Sequence, residues 1–282
     1  ELPGYVRILA RARSAPGQAG NLSFGSDGLD VTLKEGEKAR SFEFDRVFSP
    51  SSNQDDVFGE VAGVVQSAVD GHNVSILAYG QTGSGKTYTV NAWKSGPQRG
   101  IIPRALELIF QRTSALTEEG WTHQVEVSAL QVYNETIQDL LVSGGANLEL
   151  RMASKISVQG LSSALVSNID DVQELLARAS KNRRTAKTAL NLMSSRSHFV
   201  LKVRIVGSHA SSRDRSDGLL HLVDLAGSEP VDRSGVTGDR MKEAQAINRS
   251  LSALIGVFNA IDQDHKHVPY RDSKLTSLLQ PC

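Results

Sequence analysis

Residues 80–87 read GQTGSGKT and fill every required position of the pattern G-x-x-x-x-G-K-[ST]. The pattern constrains the fold because it works only as a turn between a strand and a helix. Glycines at 80, 83 and 85 permit the tight turning that aims several backbone N–H groups at one anion. Gln81, Thr82 and Ser84 occupy the positions between them and belong to the same cradle. Lys86 offers a mobile ammonium to β- and γ-phosphate oxygens, and the Thr87 hydroxyl is a ligand for Mg²⁺. In front lies the apolar run Val74-Ser75-Ile76-Leu77-Ala78-Tyr79, suited to a buried strand. A helix should follow, with its first amides facing phosphate. The bland alternative is a glycine-rich turn with a chance Lys-Thr, and the strand in front argues against it.

The chain has 282 residues, with 31 basic and 31 acidic side chains. That length suits one large domain or two small ones, with enough chain to bury a substantial core. Balanced charge argues against a general nucleic-acid or membrane binder while leaving room for local patches. The only cysteine is Cys282, the last residue, so an internal disulfide and a cysteine-based zinc site are both excluded. A reducing intracellular compartment is the expectation. No apolar stretch reaches the length of a membrane span, and the opening residues ELPGYVRILARAR lack a signal-peptide pattern. A start at Glu1 rather than Met reads as an excised fragment.

The spacing predicts a strand from Tyr5 to Ala12, a loop over 14–28, and strand pieces at 29–33 and 41–45. Ser52 to Asp55 has the spacing of a capping box. Behind it Val57, Phe58, Val61, Val64, Val65, Ala68 and Val69 make one apolar helix face, which Gly71 should end. A helix is expected over 102–112 with Pro103 in its first turn, and a strand over 125–133. Residues 134–141 read as a short helix stopped by Gly144 and Gly145, and 170–180 as another helix. Phe199, Leu201, Val203 and Ile205 alternate with Lys202 and Arg204, as in a half-buried strand. Residues 218–225 are a further strand. Ile247, Leu251, Leu254, Ile255, Phe258 and Ile261 share one face of a long helix. Mixed strands and helices around a strand–loop–helix phosphate site predict an α/β sandwich with helices on both faces of the sheet.

Two more motifs bear on chemistry. The strand at 221–225 leads into D-x-x-G at Asp224 to Gly227. A carboxylate there can hold Mg²⁺ through water, and the Gly227 amide can approach a γ-phosphate. When that phosphate leaves, the amide loses its partner and the segment behind it is free to move. Residues 191–198 read NLMSSRSH, a dense polar loop in which Ser194 or Ser195 can reach metal or γ-phosphate. Arg196 is the evident cation to meet Glu229. Taken alone, each of these motifs would pass as an ordinary turn or serine-rich loop. Together with GQTGSGKT they read as one nucleotide switch.

GQTGSGKT, N-x-x-S-S-R-S-H and V-D-L-A-G-S-E, in that order, resemble the kinesin motor domain. YGQTGSGKTYT, VYNE, INRSLSAL and HVPYRDSKLT resemble further blocks of the same family, so the likeness runs almost the whole chain. FDRVFSP, QDDVFGEV, VQSAVDG and GIIPRALELIF are most similar to the C-terminal-motor, minus-end-directed branch. The resemblance implies a P-loop NTPase with a central mostly parallel or mixed sheet, spanning residues 1–282 as one domain. The activity it implies is a microtubule-dependent ATPase using ATP and Mg²⁺ in the cytoplasm, on the cytoskeleton.

The same resemblance implies roles. Lys86 and Thr87 bind phosphate and magnesium, and Asn191, Ser194 and Ser195 surround the γ-phosphate, with Ser195 on the metal side. Asp224 and Gly227 form the second switch, and Arg196 with Glu229 forms an ion pair that closes the site and orders the attacking water. Arg11 and Arg13 belong to a strand-one R-x-R-P motif flanking adenine, in which Ser14 replaces the proline here. Tyr88 stacks on the base. Lys242, Arg249, Arg271 and Lys274 are the expected microtubule contacts, because tubulin presents an acidic surface. Pro230, Asp232 and Ser277 depart from the family pattern and are expected to weaken that patch. The chain stops inside what resembles the family's late helix, so a core strand, a final helix and a neck are expected beyond it. The resemblance also implies dimerisation through a coiled coil outside the fragment.

Competing readings weigh less. A signalling GTPase would need an N-K-x-D-type guanine reader, which the chain lacks. A microtubule-binding module without turnover conflicts with a full set of phosphate and switch residues. Residues 178–204 hold basic but no acidic side chains. Only one aromatic accompanies them, so nucleic-acid binding is not expected. His265-Lys266-His267 lacks companion ligands and reads as a loop.

Overall fold

The structure is a computed structural model and describes residues 6–13, 21–93, 96–145, 147–152, 156–185, 195–229 and 238–282. The strands are β1 (Leu9–Arg11), β2 (Leu22–Phe24), β3 (Asp30–Glu35), β4 (Lys38–Glu43), β5 (Arg46–Phe48), β6 (Asn73–Ala78), β7 (Trp121–Tyr133), β8 (Thr136–Asp139), β9 (Asn147–Met152), β10 (Ile156–Gln159), β11 (Ala164–Val166), β12 (His198–His209) and β13 (Arg215–Asp224). The helices are α1 (Gln54–Val69), α2 (Lys86–Asn91), α3 (Ile101–Glu118), α4 (Ile169–Thr185), α5 (Asp239–Asp262) and α6 (Lys274–Leu279).

The central sheet runs β10-β9-β8-β7-β12-β13-β6, with β11 pairing along β7 as well. It is mixed. β6 and β13 run parallel, while β13, β12, β7, β8, β9 and β10 pair antiparallel in turn. On its other side β6 pairs with no strand among the described residues. β1 and β5 form a separate parallel pair, and β2, β3 and β4 an antiparallel meander.

Period-two alternation in β12 builds both layers. Phe199, Leu201, Val203 and Ile205 point to one face, against Val61 and Val65 of α1, Ile102, Leu106 and Ile109 of α3, and Leu176 of α4. Val200 joins Val132, Val223, Leu251 and Leu254 of α5, and Leu275 and Leu278 of α6 in the second core. Each fully buried leucine or isoleucine there stabilises the fold by roughly 1.5–3 kcal/mol. Beyond Val200 that second face of β12 continues with Lys202 and Arg204. The second core is therefore confined to the end of the sheet nearer His198. No helix among the described residues is long and apolar enough to cross a membrane.

Three local expectations are corrected. The stretch expected as a loop over 14–28 contains β2, which pairs with β3. The capping box on α1 sits one residue later than the spacing suggested. Asn53 accepts the Asp56 N–H and Asp56 accepts the Asn53 N–H, whereas Ser52 N–H closes a turn onto the Ser49 carbonyl. Residues 134–141 are not helical. Asn134 and Glu135 take left-handed φ of 47° and 55° and join β7 to β8 as a two-residue hairpin. That turn geometry matches the twist of paired strands, and asparagine tolerates it well. β9, β10 and β11 carry no signal that the spacing analysis used.

Candidate functional site

The cradle lies between the end of β6 and the start of α2. Gly80, Gly83 and Gly85 take φ of 148°, 80° and 108°, a region that side-chain-bearing residues enter only with strain. Lys86 Nζ donates to the carbonyls of Gly80 at 2.8 Å and Gln81 at 3.0 Å. Burial lowers its pKa, while Asp224 and Glu229 pull the other way. Arg13 donates to the Gly83 carbonyl across the rim. Ser84 N–H closes an inner turn onto the Gln81 carbonyl at 3.1 Å.

Parallel pairing of β6 with β13 puts Asp224 opposite Ala78, at the cradle's base. Thr87 Oγ1 donates to Asp224 Oδ2 at 2.7 Å. The second oxygen, Oδ1, is buried with no hydrogen-bond partner. Burial raises the Asp224 pKa, opposed by the Thr87 bond and by the charges of Arg183 and Lys86.

The D-x-x-G turn is stitched to both neighbours through its backbone. Gly227 N–H donates to the Ser195 carbonyl at 3.0 Å, and Ser228 N–H to the Gly80 carbonyl at 3.1 Å. A Cβ on Gly227 would meet the Glu229 carboxylate and the Thr82 hydroxyl, so a larger residue there would displace Glu229 from Thr82. The fold brings Lys86, Thr87, Asp224, Gly227 and Ser195 together. Asn191 and Ser194 lie outside the described residues, as do Ser14, Pro230 and Asp232.

The expected ion pair between Arg196 and Glu229 is not made. Glu229 Oε2 accepts the Thr82 N–H at 2.8 Å, and Oε1 accepts the Thr82 hydroxyl. Burial opposes ionisation of Glu229, but these bonds and Lys86 outweigh it and hold its pKa below the ordinary value. Arg196 Nη1 instead meets Glu243 Oε2 of α5 at 2.9 Å. Glu243 also hydrogen-bonds Tyr133 at the end of β7. The reason is reach. Thr82 satisfies both oxygens of Glu229, while the first turns of α5 bring a second carboxylate to the guanidinium.

His198 was visible in the serine-rich motif but carried no assigned role. It is 2% exposed. Its Nδ1 accepts the Ala226 N–H at 3.1 Å, which leaves Nε2–H to donate to Ser250 Oγ at 2.8 Å. Ser250 in turn donates to the Ile247 carbonyl at 2.7 Å. Burial, with help from the charges of Arg183 and Lys86, pushes the His198 pKa down to about 4, so the ring is neutral at pH 7. This chain of bonds joins β12, the D-x-x-G turn and α5. Only tertiary proximity reveals it, since Ser250 and Ala226 belong to other motifs.

Arg11 and Tyr88 form a second wall. The Arg11 guanidinium carbon lies 5.3 Å from the Tyr88 ring centroid. Arg11 Nη1 donates to Gln54 Oε1 at 2.6 Å and Thr89 Oγ1 at 2.9 Å. Tyr88 keeps 41% of its surface exposed.

On α5, Lys242 and Arg249 are exposed, as is Arg271, while Lys274 is half-buried with its N–H on Glu135 Oε2 at 2.9 Å. Ser277, expected to weaken this patch, is 1% exposed and donates to the Tyr270 carbonyl. It is therefore part of the α6 packing and not of the exposed surface.

The kinesin motor-domain model matches residues 21–282. The kinesin-like protein KIN-14N of Oryza sativa subsp. japonica is 43% identical over 298 residues, covering 100% of this chain and 39% of the relative. Kinesin-related protein 2 of Dictyostelium discoideum is 44% identical over 312 residues, covering 99% and 39%. This chain thus spans well under half the length of the curated relatives it matches. Among solved structures, the motor domain of the Kar3-like kinesin from Ashbya gossypii aligns with a TM-score of 0.84 at 36% identity, covering 98% of this chain and 87% of that one. The motor domain of Kar3 from Saccharomyces cerevisiae aligns at 0.84 and 37%, covering 99% and 89%. The match over nearly the whole chain agrees with the three motifs and their spatial meeting, and the chain belongs to the kinesin motor-domain family.

Proposed function

We propose that this chain binds ATP with Mg²⁺, hydrolyses it, and passes the loss of the terminal phosphate to a microtubule-binding surface on α5. One observation carries the reading. The turn that would sense the γ-phosphate is bonded to the cradle through Ser228, to the first switch through Gly227, and to α5 through Ala226, His198 and Ser250. A phosphate-dependent shift at Gly227 therefore has a short route to α5. The KIN-14 and Kar3-like relatives favour minus-end-directed travel.

Phosphoryl transfer asks the protein mainly for positioning and electrostatics. Lys86 exchanges its two loop carbonyls for phosphate oxygens. Gly227 N–H and Ser195 lie together at the γ end, and Asn191 and Ser194 complete that shell on this reading. Glu229, held on Thr82 at the mouth of the cradle, takes the proton of the attacking water through a second water. Asp224 and Thr87 fit a hard cation, because one buried carboxylate oxygen has no other partner and a hydroxyl lies beside it. Bound there, with Ser195 alongside, Mg²⁺ would supply positive charge to the β- and γ-phosphates. Arg11 and Tyr88 provide the platform for adenine, with Arg13 at the rim beside Gly83, Ser84 and Gln81.

Lys242, Arg249, Arg271 and Lys274 face an acidic tubulin surface on this reading, which places the protein on the cytoskeleton in the cytoplasm. Residues 1–282 act as one motor domain. A coiled coil outside the chain makes the dimer. The test is phosphate release with ATP or GTP, with and without microtubules. Stimulation by microtubules on ATP alone supports the reading. Equal turnover on GTP, or no response to microtubules, refutes it.

A further inference from the structure

Gln54 is a neutral side chain that is 3% exposed, at the first position of α1. Both ends of its amide are used. Oε1 accepts from Arg11 Nη1 at 2.6 Å, and Nε2 donates to the Tyr88 carbonyl at 2.7 Å and more weakly to the Gln98 carbonyl at 3.4 Å. Two carbonyls on one side and a guanidinium on the other fix which end is nitrogen. One amide therefore ties β1, the first turn of α2 and the 96–98 turn to the start of α1.

The seat of Gln54 is itself rigid. Asn53 and Asp56 cap α1 reciprocally at 3.0 and 2.8 Å, and Asp55 pairs with Arg104 of α3. The platform it serves is held mainly by neutral groups. Among the described residues Arg11 makes no ion pair; its acceptors include the neutral Gln54 and Thr89, and the charge of Asp56 acts on it only from beyond contact distance. A carboxylate in place of Gln54 would pair with Arg11 directly and draw its charge away from the Tyr88 ring.

We propose that Gln54 is the positioning residue of the base platform. It holds Arg11 and Tyr88 in register, so that the cradle favours a nucleoside triphosphate over bare polyphosphate. This rests on the nucleotide reading above and extends it to a residue that never touches the phosphates. The contribution acts through Arg11, and the two residues should therefore be coupled.

The experiment displaces fluorescent ADP from the purified 282-residue chain with ATP, ADP and inorganic tripolyphosphate. The variants are Gln54→Met, Arg11→Ala and the pair together. Gln54→Met keeps side-chain length and removes the hydrogen bonds. Loss of one hydrogen bond to a charged group predicts about tenfold weaker ATP and ADP binding. Tripolyphosphate affinity stays within about twofold, and the rise falls on KM for ATP rather than on kcat. In the Arg11→Ala background, Gln54→Met adds less than about twofold. A parallel loss for ATP and tripolyphosphate, unchanged ATP affinity, or full multiplicative loss in the double variant each overturns the assignment. A wild-type chain that bound neither ATP nor tripolyphosphate would instead sink the nucleotide reading, and this inference with it.

Discussion

His198 offers the sharpest test of how the site is joined to α5. Replacing it with leucine removes an acceptor from the Ala226 N–H and a donor from Ser250 Oγ, both groups buried. An orphaned buried amide costs about 1–3 kcal/mol, and the lost bond to Ser250 about 1 more. His198→Leu should therefore destabilise the chain by about 3 kcal/mol at pH 7 in urea unfolding. His198→Asn keeps an acceptor near Nδ1 but cannot reach Ser250, so it should lose about 1 kcal/mol. The pH dependence supplies the refutation. The folded pKa of about 4 lies below the ordinary histidine value of 6.5. A depressed folded pKa means stability that is present above pH 6.5 and lost as pH falls toward 4. At pH 5 that loss is about 2 kcal/mol at 1.36 kcal/mol per pH unit. His221, pushed to about 3 by burial and by Lys202, adds a similar slope in both proteins and cancels in the difference. The deficit of His198→Leu should thus shrink from about 3 kcal/mol at pH 7 to about 1 at pH 5. A deficit that stays constant between these pH values would show that the imidazole is not held neutral by its burial.

Glu229→Ala should bind ATP yet lose hydrolysis by about 10²–10⁴-fold, the range for removing one positioned proton-transfer group. Normal single-turnover phosphate release would refute its role. Arg196→Ala and Glu243→Ala should show a coupling of about 1 kcal/mol in a double-mutant cycle on urea stability, since the pair is partly buried. Strict additivity would mean that the contact contributes nothing. Asp224→Asn should make ATP affinity insensitive to Mg²⁺, measured with and without chelator, and retained Mg²⁺ dependence would remove Asp224 from the metal shell. Arg249→Glu should weaken microtubule co-sedimentation and flatten its salt dependence. Unchanged binding across a salt series would take α5 out of the interface.

The cradle was legible because its chemistry is local. Glycine positions, one lysine and one hydroxyl within eight residues leave few conformations that satisfy their backbone groups. The helices α1, α3 and α5 were legible because a 3.6-residue period repeats over several turns, and β12 because its alternation is long. The 134–141 segment misled because its apolar residues are few. A two-residue left-handed turn decided its fate, and that preference is weak in sequence. β9 to β11 are short and gain their pairing from neighbours already in place.

The amino-acid order alone determined the phosphate loop, the D-x-x-G turn and the family likeness, since each depends on residues a few positions apart. The tertiary structure decided who meets whom across the chain. Arg196 faces Glu243 and not Glu229, Glu229 rests on Thr82, and His198 and Gln54 became joints between elements. Such pairings follow from competition among several acceptors for one donor. Spacing cannot rank acceptors whose distances are set only when sheet and helices have packed.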